Sequence, residues 1–218
     1  PVHRTRPEYN VGIQQLPFDP NGALDLLEEA GWSDTDNDGF LDKTIDGEKT
    51  PFEFIMLVNS GNQMRKDIAL TLQAECADIG IAMEVRELDW SVFLEEVKSQ
   101  RAEAYVLGWR YSLAYYPDPY QIWHSSQAKD GGSNSISFNN AEVDQILETY
   151  RMTFDPHQRK ELLYRFQEII HEEQPYTFLW NPRSTNAYSR RYQNVNWYPA
   201  GGDQGEWFVN PDAQRYSN

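Results

Sequence analysis

The sequence predicts an α/β protein, a mixed sheet flanked by helices. Strand-like and helix-like apolar patterns alternate from Pro20 to Trp109, and strands joined through helices form parallel or mixed sheets. The run Ala104–Trp109 is almost wholly apolar, which suits a central strand covered on both faces. The 218 residues suffice for one good core.

The elements follow in order. Asp19 as N-cap, Pro20 at the first helical position and Gly31 just past the end bound a first helix with a buried stripe of Ala23, Leu24, Leu27 and Ala30. Phe52–Val58 is rich in strand formers, and Ile68, Leu72, Cys76 and Ile79 then recur at helical spacing up to Gly80. Ile81, Met83 and Val85 alternate with Ala82, Glu84 and Arg86 as a half-buried strand, and Asp89 opens a short helix carrying Phe93, Leu94 and Val97. Beyond Trp109 comes a loop thick with aromatics and prolines. Val143, Ile146, Leu147 and Tyr150 then mark one helix. Asp155 and Pro156 open another with the stripe Leu162, Leu163, Phe166, Ile169 and Ile170, which Pro175 stops. Tyr176–Trp180 has the composition of a returning strand, whereas 193–218, with Gly201, Gly202 and Gly205, is expected to be irregular. The domain reading is therefore one α/β unit over 1–192 and an irregular segment over 193–218.

Composition limits the function classes. A formal net charge of −15 argues against nucleic acid and anionic membrane surfaces, and the apolar runs are too short to span a bilayer. The N-terminal stretch lacks a signal-type apolar core, and a start at Pro1 suggests a fragment or processed product. Cys76 stands alone, so no internal disulfide forms; its apolar neighbours suggest a buried, inert thiol. There is no G-x-S-x-G elbow, P-loop or G-x-G-x-x-G fingerprint. His171-Glu172-Glu173 begins like a zinc-protease helix, but Pro175 stands where the second histidine belongs, and the four histidines show no ligand spacing.

Two clusters carry candidate chemistry. Asp34, Asp36, Asp38, Gly39 and Asp42 match positions one, three, five, six and nine of an EF-hand-type calcium loop, with Phe40 offering its carbonyl. Position twelve is Ile45, without the usual bidentate glutamate, and a strand follows where the second EF helix belongs. The other reading is a solvated acidic turn. The second cluster runs from Gly108 to Trp123. Aromatics at the carboxyl edge of a parallel sheet lie where open α/β folds place ligands. Trp109, Tyr111, Tyr115 and Tyr116 are candidates to stack on a ligand, or else part of the core, and Trp123 has the setting of a core residue. Asp118, between two prolines, is a helix cap or a polar ligand contact.

The order of the motifs adds more than any one of them. F-D-P-N-G-A-L-D-L-L-E-E-A-G-W, D-T-D-N-D-G-F-L-D, R-E-L-D-W-S-V-F, the G-W with P-D-P, and the helix R-K-E-L-L-Y-R-F-Q-E-I-I-H-E-E-Q-P-Y together resemble the C-terminal half of family 5 solute-binding proteins, the oligopeptide-, dipeptide- and nickel-type receptors of ABC importers. The resemblance covers roughly 9–186. It implies a lobe of the periplasmic binding protein-like II fold that closes on a ligand against an N-terminal lobe, with residues 109–119 lining the cleft and 193–218 returning to that other lobe. It also implies a peptide, oligosaccharide or similar solute as ligand, ABC permease membrane subunits as partners, a monomer, no enzyme activity, no required cofactor beyond an optional Ca2+, and a periplasmic or extracellular site with room for a lipid anchor on the full-length protein. One departure stands out: peptide receptors of this type place an aspartate shortly after Gly-Trp for the peptide's α-amino group, and here the stretch reads Arg110, Tyr111, Ser112, Leu113, Ala114, Tyr115. The alternatives are a carboxylate-based glycoside hydrolase and a calcium-binding structural or adhesive module.

Overall fold

The computed structural model describes residues 1–109, 118–129, 131–181, 185–198 and 201–214. It divides into two compact units, one built from Pro1–Trp109 with Asp118–Pro175, the other from Arg110–Pro117 with Tyr176–Asn218.

The first unit holds a three-stranded parallel sheet in the order β4-β3-β5. β3 (Glu53–Asn59) pairs along its whole length with β4 (Ala82–Leu88), from Glu53 opposite Ala82 to Asn59 opposite Leu88. On its other side it pairs with β5 (Ala104–Tyr105) through Met56 and Leu57. α2 (Gln63–Asp78) links β3 to β4, and α3 (Trp90–Lys98) carries the chain back across β3 to β5. The two-residue period of β3 sorts its side chains between two helices. Leu57 and Ile55 pack with Phe93 and Val97 of α3, while Val58 and Met56 pack with Ala69 of α2 and with Val106. The sheet is thus covered on both faces, as crossover connections require.

The run 104–109 proves to be an edge partner rather than the central strand; that place belongs to β3. Only Ala104 and Tyr105 form the strand, with Val106 N–H adding a bond to the Leu57 carbonyl at 3.1 Å. Its apolar character comes from cover on both faces, since Tyr105 and Leu107 face the α3 cluster and Val106 the α2 cluster. The sheet itself is parallel throughout, and the antiparallel pairs lie apart from it: β1 (Asp42–Ile45) with β2 (Glu48–Pro51), and two pairs in the second unit.

α1 (Pro20–Glu29) has the expected cap, with Asp19 accepting from Gly22 N–H at 3.0 Å, but none of its residues is fully buried. Its amphipathic pattern is real, yet the helix lies on the surface and its apolar side borders Trp32 and Leu41. Cys76 is half-buried rather than enclosed, and desolvation followed by the charge of Glu75 pushes its thiol up, away from the reactive thiolate.

Beyond the sheet, α4 (Tyr120–Trp123), α5 (Ala141–Met152) and α6 (Pro156–Glu173) build a helical layer around Trp123, Leu147, Leu163 and Phe166. Asn140 and Asp155 cap α5 and α6 through Val143 N–H and Gln158 N–H. The buried Gln167 fastens the N-terminal segment to α6. It donates to the Glu8 carbonyl at 2.8 Å and accepts from Asn10 N–H at 3.1 Å.

In the second unit Tyr176–Trp180 forms no strand. The segment from 193 onward carries short ladders: β6 (Tyr192–Gln193) with β9 (Phe208–Val209), and β7 (Trp197–Tyr198) with β8 (Gly201–Gly202). Trp207 organises them, with its ring 5.9 Å from Tyr188, 6.0 Å from Tyr192 and 6.5 Å from Trp197.

Candidate functional site

The carboxyl end of the parallel sheet has one position favoured by topology. From β3 the chain leaves through α2 toward β4, yet the neighbour on the other side, β5, is reached only after the chain recrosses. In open α/β sheets the carboxyl ends flanking such a reversal are where ligands bind, which here singles out the crevice position between the ends of β3 and β5.

Asn59 ends β3, and Ser60, Gly61 and Asn62 lead into α2. Gly61, at φ +76°, makes the turn that side chains resist. The Asn62 side chain caps α2 by accepting from Arg65 N–H at 3.2 Å. This fixes Arg65 in the first helical turn, where its guanidinium Nη1 donates to Asn59 Oδ1 at 2.6 Å. Nη2 reaches toward the end of β5, lying 3.9 Å from where a Cβ on Gly108 would stand. Ser60 Oγ donates to Asp89 at 3.2 Å, tying β3 to the start of α3.

The Arg65 charge is held at a cost. Burial pushes its guanidinium below the ordinary arginine value, and a cation in a first helical turn opposes the helix dipole. No carboxylate among the described residues pairs with it. An arginine stays cationic throughout the physiological range, so the crevice presents a partly desolvated positive charge suited to a carboxylate.

The expected residues of the second sequence cluster divide. Trp109 lies at this end of β5 and is 41% exposed, so much of its ring surface faces solvent. Tyr111, Tyr115 and Tyr116 lie outside the described residues. Asp118 is engaged on two sides: it accepts from Tyr120 N–H at 3.2 Å and forms a two-pronged ion pair with Arg151, at 2.7 Å to Nη2 and 3.1 Å to Nε. Arg151 also lies 3.7 Å over the Tyr120 ring, which stacks on His124. Trp123 is core, packed edge-on against Phe138 and Phe166. The sequence reading missed Asn59 and Arg65. The available signal was the polar run N-S-G-N at the end of a strand, to which the same carboxyl-edge rule applies.

The acidic loop is ordered by its own hydrogen bonds. Asp34 accepts from Asp38 N–H at 3.1 Å and Gly39 N–H at 2.9 Å, and Asp38 from Phe40 N–H at 2.9 Å. Carboxylate oxygens of Asp34, Asp36 and Asp42 converge within 4.8 Å of one another, but Asp38 is not part of that group. Lys49 from β2 is ion-paired with Asp36 and lies 3.2 Å from Asp42, so an ammonium already supplies the positive charge. A calcium ion entering here would compete with it. Asp42 is otherwise committed to Thr35, whose hydroxyl donates at 2.7 Å and whose N–H donates at 3.1 Å.

Thr35 first, and Lys49 after it, hold the Asp42 carboxyl below the ordinary carboxylate value. A depressed folded-state value stabilises the protein above the unfolded carboxylate pKa, and this contribution is lost as pH falls through the depressed value. Asp42→Asn should therefore destabilise the protein at neutral pH and flatten the acid limb of its stability profile. Denaturant melts of both proteins between neutral pH and the acid transition measure this.

Comparison with known proteins identifies the family. The sequence profile described as bacterial extracellular solute-binding proteins, family 5 Middle, matches residues 1–134. The chain belongs to that family. The oligopeptide-binding protein AppA of Bacillus subtilis (strain 168) is 34% identical over 192 residues, 87% of this chain and 34% of that relative. The structure of AppA from Bacillus subtilis in complex with a nonapeptide superposes with a TM-score of 0.80 at 32% identity, covering 96% of this chain and 41% of that one. The oligopeptide binding protein from Thermus thermophilus, complexed with a pentapeptide, gives 0.71 at 26% identity over 80% of this chain and 31% of that one. The chain spans about a third of the length of the curated relatives it matches. The family is one of binding proteins rather than enzymes, and its fold is the periplasmic binding protein type II architecture. No helix among the described residues is long and apolar enough to cross a membrane.

Proposed function

We propose that this chain forms one wall of the solute cleft of an ABC importer's extracellular receptor, and that Arg65 holds a carboxylate of a peptide-class ligand. The observation that carries this reading is the guanidinium at the β3/β5 crevice, kept charged, partly desolvated and without an acidic partner among the described residues. The nonapeptide held by AppA and the pentapeptide held by the Thermus protein support the same ligand class. An anchor for a carboxylate also fits the missing aspartate after Gly-Trp: such a ligand is gripped by its acid group, and no acid is needed for its amine. Trp109 supplies apolar contact beside the anchor. The receptor binds without turnover, in the periplasm or outside the cell, and delivers its solute to membrane permease subunits.

Hydrogen exchange on the full-length receptor, free and loaded with peptide, tests the location. Protection should appear at the strand ends near 59–65 and 106–109. Protection confined to other surfaces would reject this site. Calcium at residues 34–42 is a separate proposal, supported by the convergence of Asp34, Asp36 and Asp42. Binding to the native state raises stability, so melts in millimolar calcium should exceed those in chelator; coincident melts would leave Lys49 as the cluster's cation.

A further inference from the structure

Arg65 is oriented by a neutral amide although a carboxylate would bind it more strongly, and that choice has a functional consequence. Asn59 Oδ1 accepts from Arg65 Nη1 at 2.6 Å, while Asn59 Nδ2 donates to the Ser60 carbonyl at 3.0 Å. Both ends of the amide are engaged, so the side chain is held in one orientation. It sits on the last residue of the central strand, opposite Leu88 of β4, a place whose backbone is fixed by the sheet. An aspartate at position 59 would offer the same acceptor geometry and an ion pair besides. It would also cancel the charge that a ligand carboxylate needs, because a guanidinium already paired with one carboxylate offers little net attraction to a second. Three exposed arginines elsewhere in this chain follow the opposite pattern: Arg151 pairs with Asp118, Arg165 with Glu142 and Arg101 with Glu96.

We propose that Asn59 is a positioning residue, which aims the Arg65 guanidinium into the crevice while leaving its charge available, and thereby sets the receptor's preference for ligands bearing a free carboxylate. This inference rests on the reading of Arg65 given above. It predicts an unusual response to substitution. Asn59→Asp keeps the shape and the acceptor; its ion pair with Arg65 offsets the lost donation to the Ser60 carbonyl, so the melting temperature should change little, yet it should weaken binding of a free-acid ligand. Asn59→Ala removes the aim but not the charge and should weaken binding less. A purely structural role predicts the reverse for the acid: with the arginine better anchored, binding would be retained.

The test uses the full-length receptor containing this chain and one nonapeptide of fixed sequence, prepared with a free and with an amidated C terminus. Calorimetric titrations are set beside thermal melts for the unaltered receptor and for Asn59→Asp, Asn59→Ala and Arg65→Met. The expected result is at least a tenfold loss of affinity for the free-acid peptide in Asn59→Asp, a several-fold loss in Asn59→Ala, unchanged affinity of Asn59→Asp for the amidated peptide, and melting temperatures within the range of the unaltered receptor. Free-acid affinity in Asn59→Asp equal to that of the unaltered receptor, with Arg65→Met weakened, overturns the role of Asn59 alone. Free-acid affinity unchanged in Arg65→Met overturns the carboxylate site itself. If Asn59→Asp fails to fold while Asn59→Ala folds and binds normally, the positioning role is likewise rejected.

Discussion

Trp123→Ala should lower the unfolding free energy by about 3–5 kcal/mol, the usual range for deleting a large buried aromatic. The indole is 1% exposed and joins two helices and a loop: it leaves α4, meets Phe166 of α6 with ring centroids 5.9 Å apart, and meets Phe138 of the loop before α5 at 6.0 Å, both edge-on. Such aromatic pairs contribute beyond their buried area, and neighbouring Phe166, Leu147 and Leu163 are themselves enclosed, leaving little freedom to fill the space. In a chain of this size the loss corresponds to roughly 10 °C in melting temperature. Trp109→Ala provides the contrast. With 41% of its surface exposed, it should cost far less stability. Equal losses from the two substitutions in denaturant melts would mean that Trp109 is packing rather than ligand surface.

These two tryptophans also mark how far the residues alone reveal the fold. Trp123 was separable as core because it stands beside Ile122 in a short helix, and Trp109 as a candidate contact because it ends an apolar run. The α5 and α6 stripes were nearly as legible: Val143, Ile146, Leu147 and Tyr150, and Leu163, Phe166, Ile169 and Ile170, are buried as their spacing implies, while Leu162 of the same stripe is only half-buried. Periodicity failed where the answer depends on neighbours distant in sequence. It reports which face of α1 is apolar but not that the helix lies on the surface. It implies cover on both sides for 104–109, which holds for Tyr105, Val106 and Leu107 but not for Trp109, and it does not tell that β3 occupies the centre.

The binding site was less legible for the same reason. Asn59 ends one strand, with Arg65 in the helix after it, and Trp109 lies just beyond another, and only the β4-β3-β5 order places those two strand ends side by side. Read singly, N-S-G-N is an ordinary strand-to-helix turn and Arg65 an ordinary helix residue. The functional signal lies in a physical mismatch: a guanidinium in a first helical turn, partly desolvated, whose hydrogen-bond partner is an amide. Sequence gives the residue types, while the absence of an acidic partner among the described residues emerges only from their arrangement. The acidic loop shows the converse. Its spacing suggested an oxygen cage for calcium, and the fold brings Lys49 from β2 into it, a partner that the loop's own motif does not contain.

The most direct measurement of the central claim is calorimetric titration of the full-length receptor and its Arg65→Met variant with a free-acid peptide. Methionine keeps most of the side chain's apolar bulk while removing the guanidinium, so packing changes little. A hydrogen bond to a charged group contributes about 1.5–3 kcal/mol, and every 1.4 kcal/mol is a factor of ten in affinity. The account predicts that Arg65→Met loses roughly tenfold to a hundredfold in affinity for the free acid, loses almost nothing for the amidated peptide, and melts with the unaltered receptor. Equal free-acid affinity in the two proteins would contradict it and remove the β3/β5 crevice as the place where this chain holds its ligand.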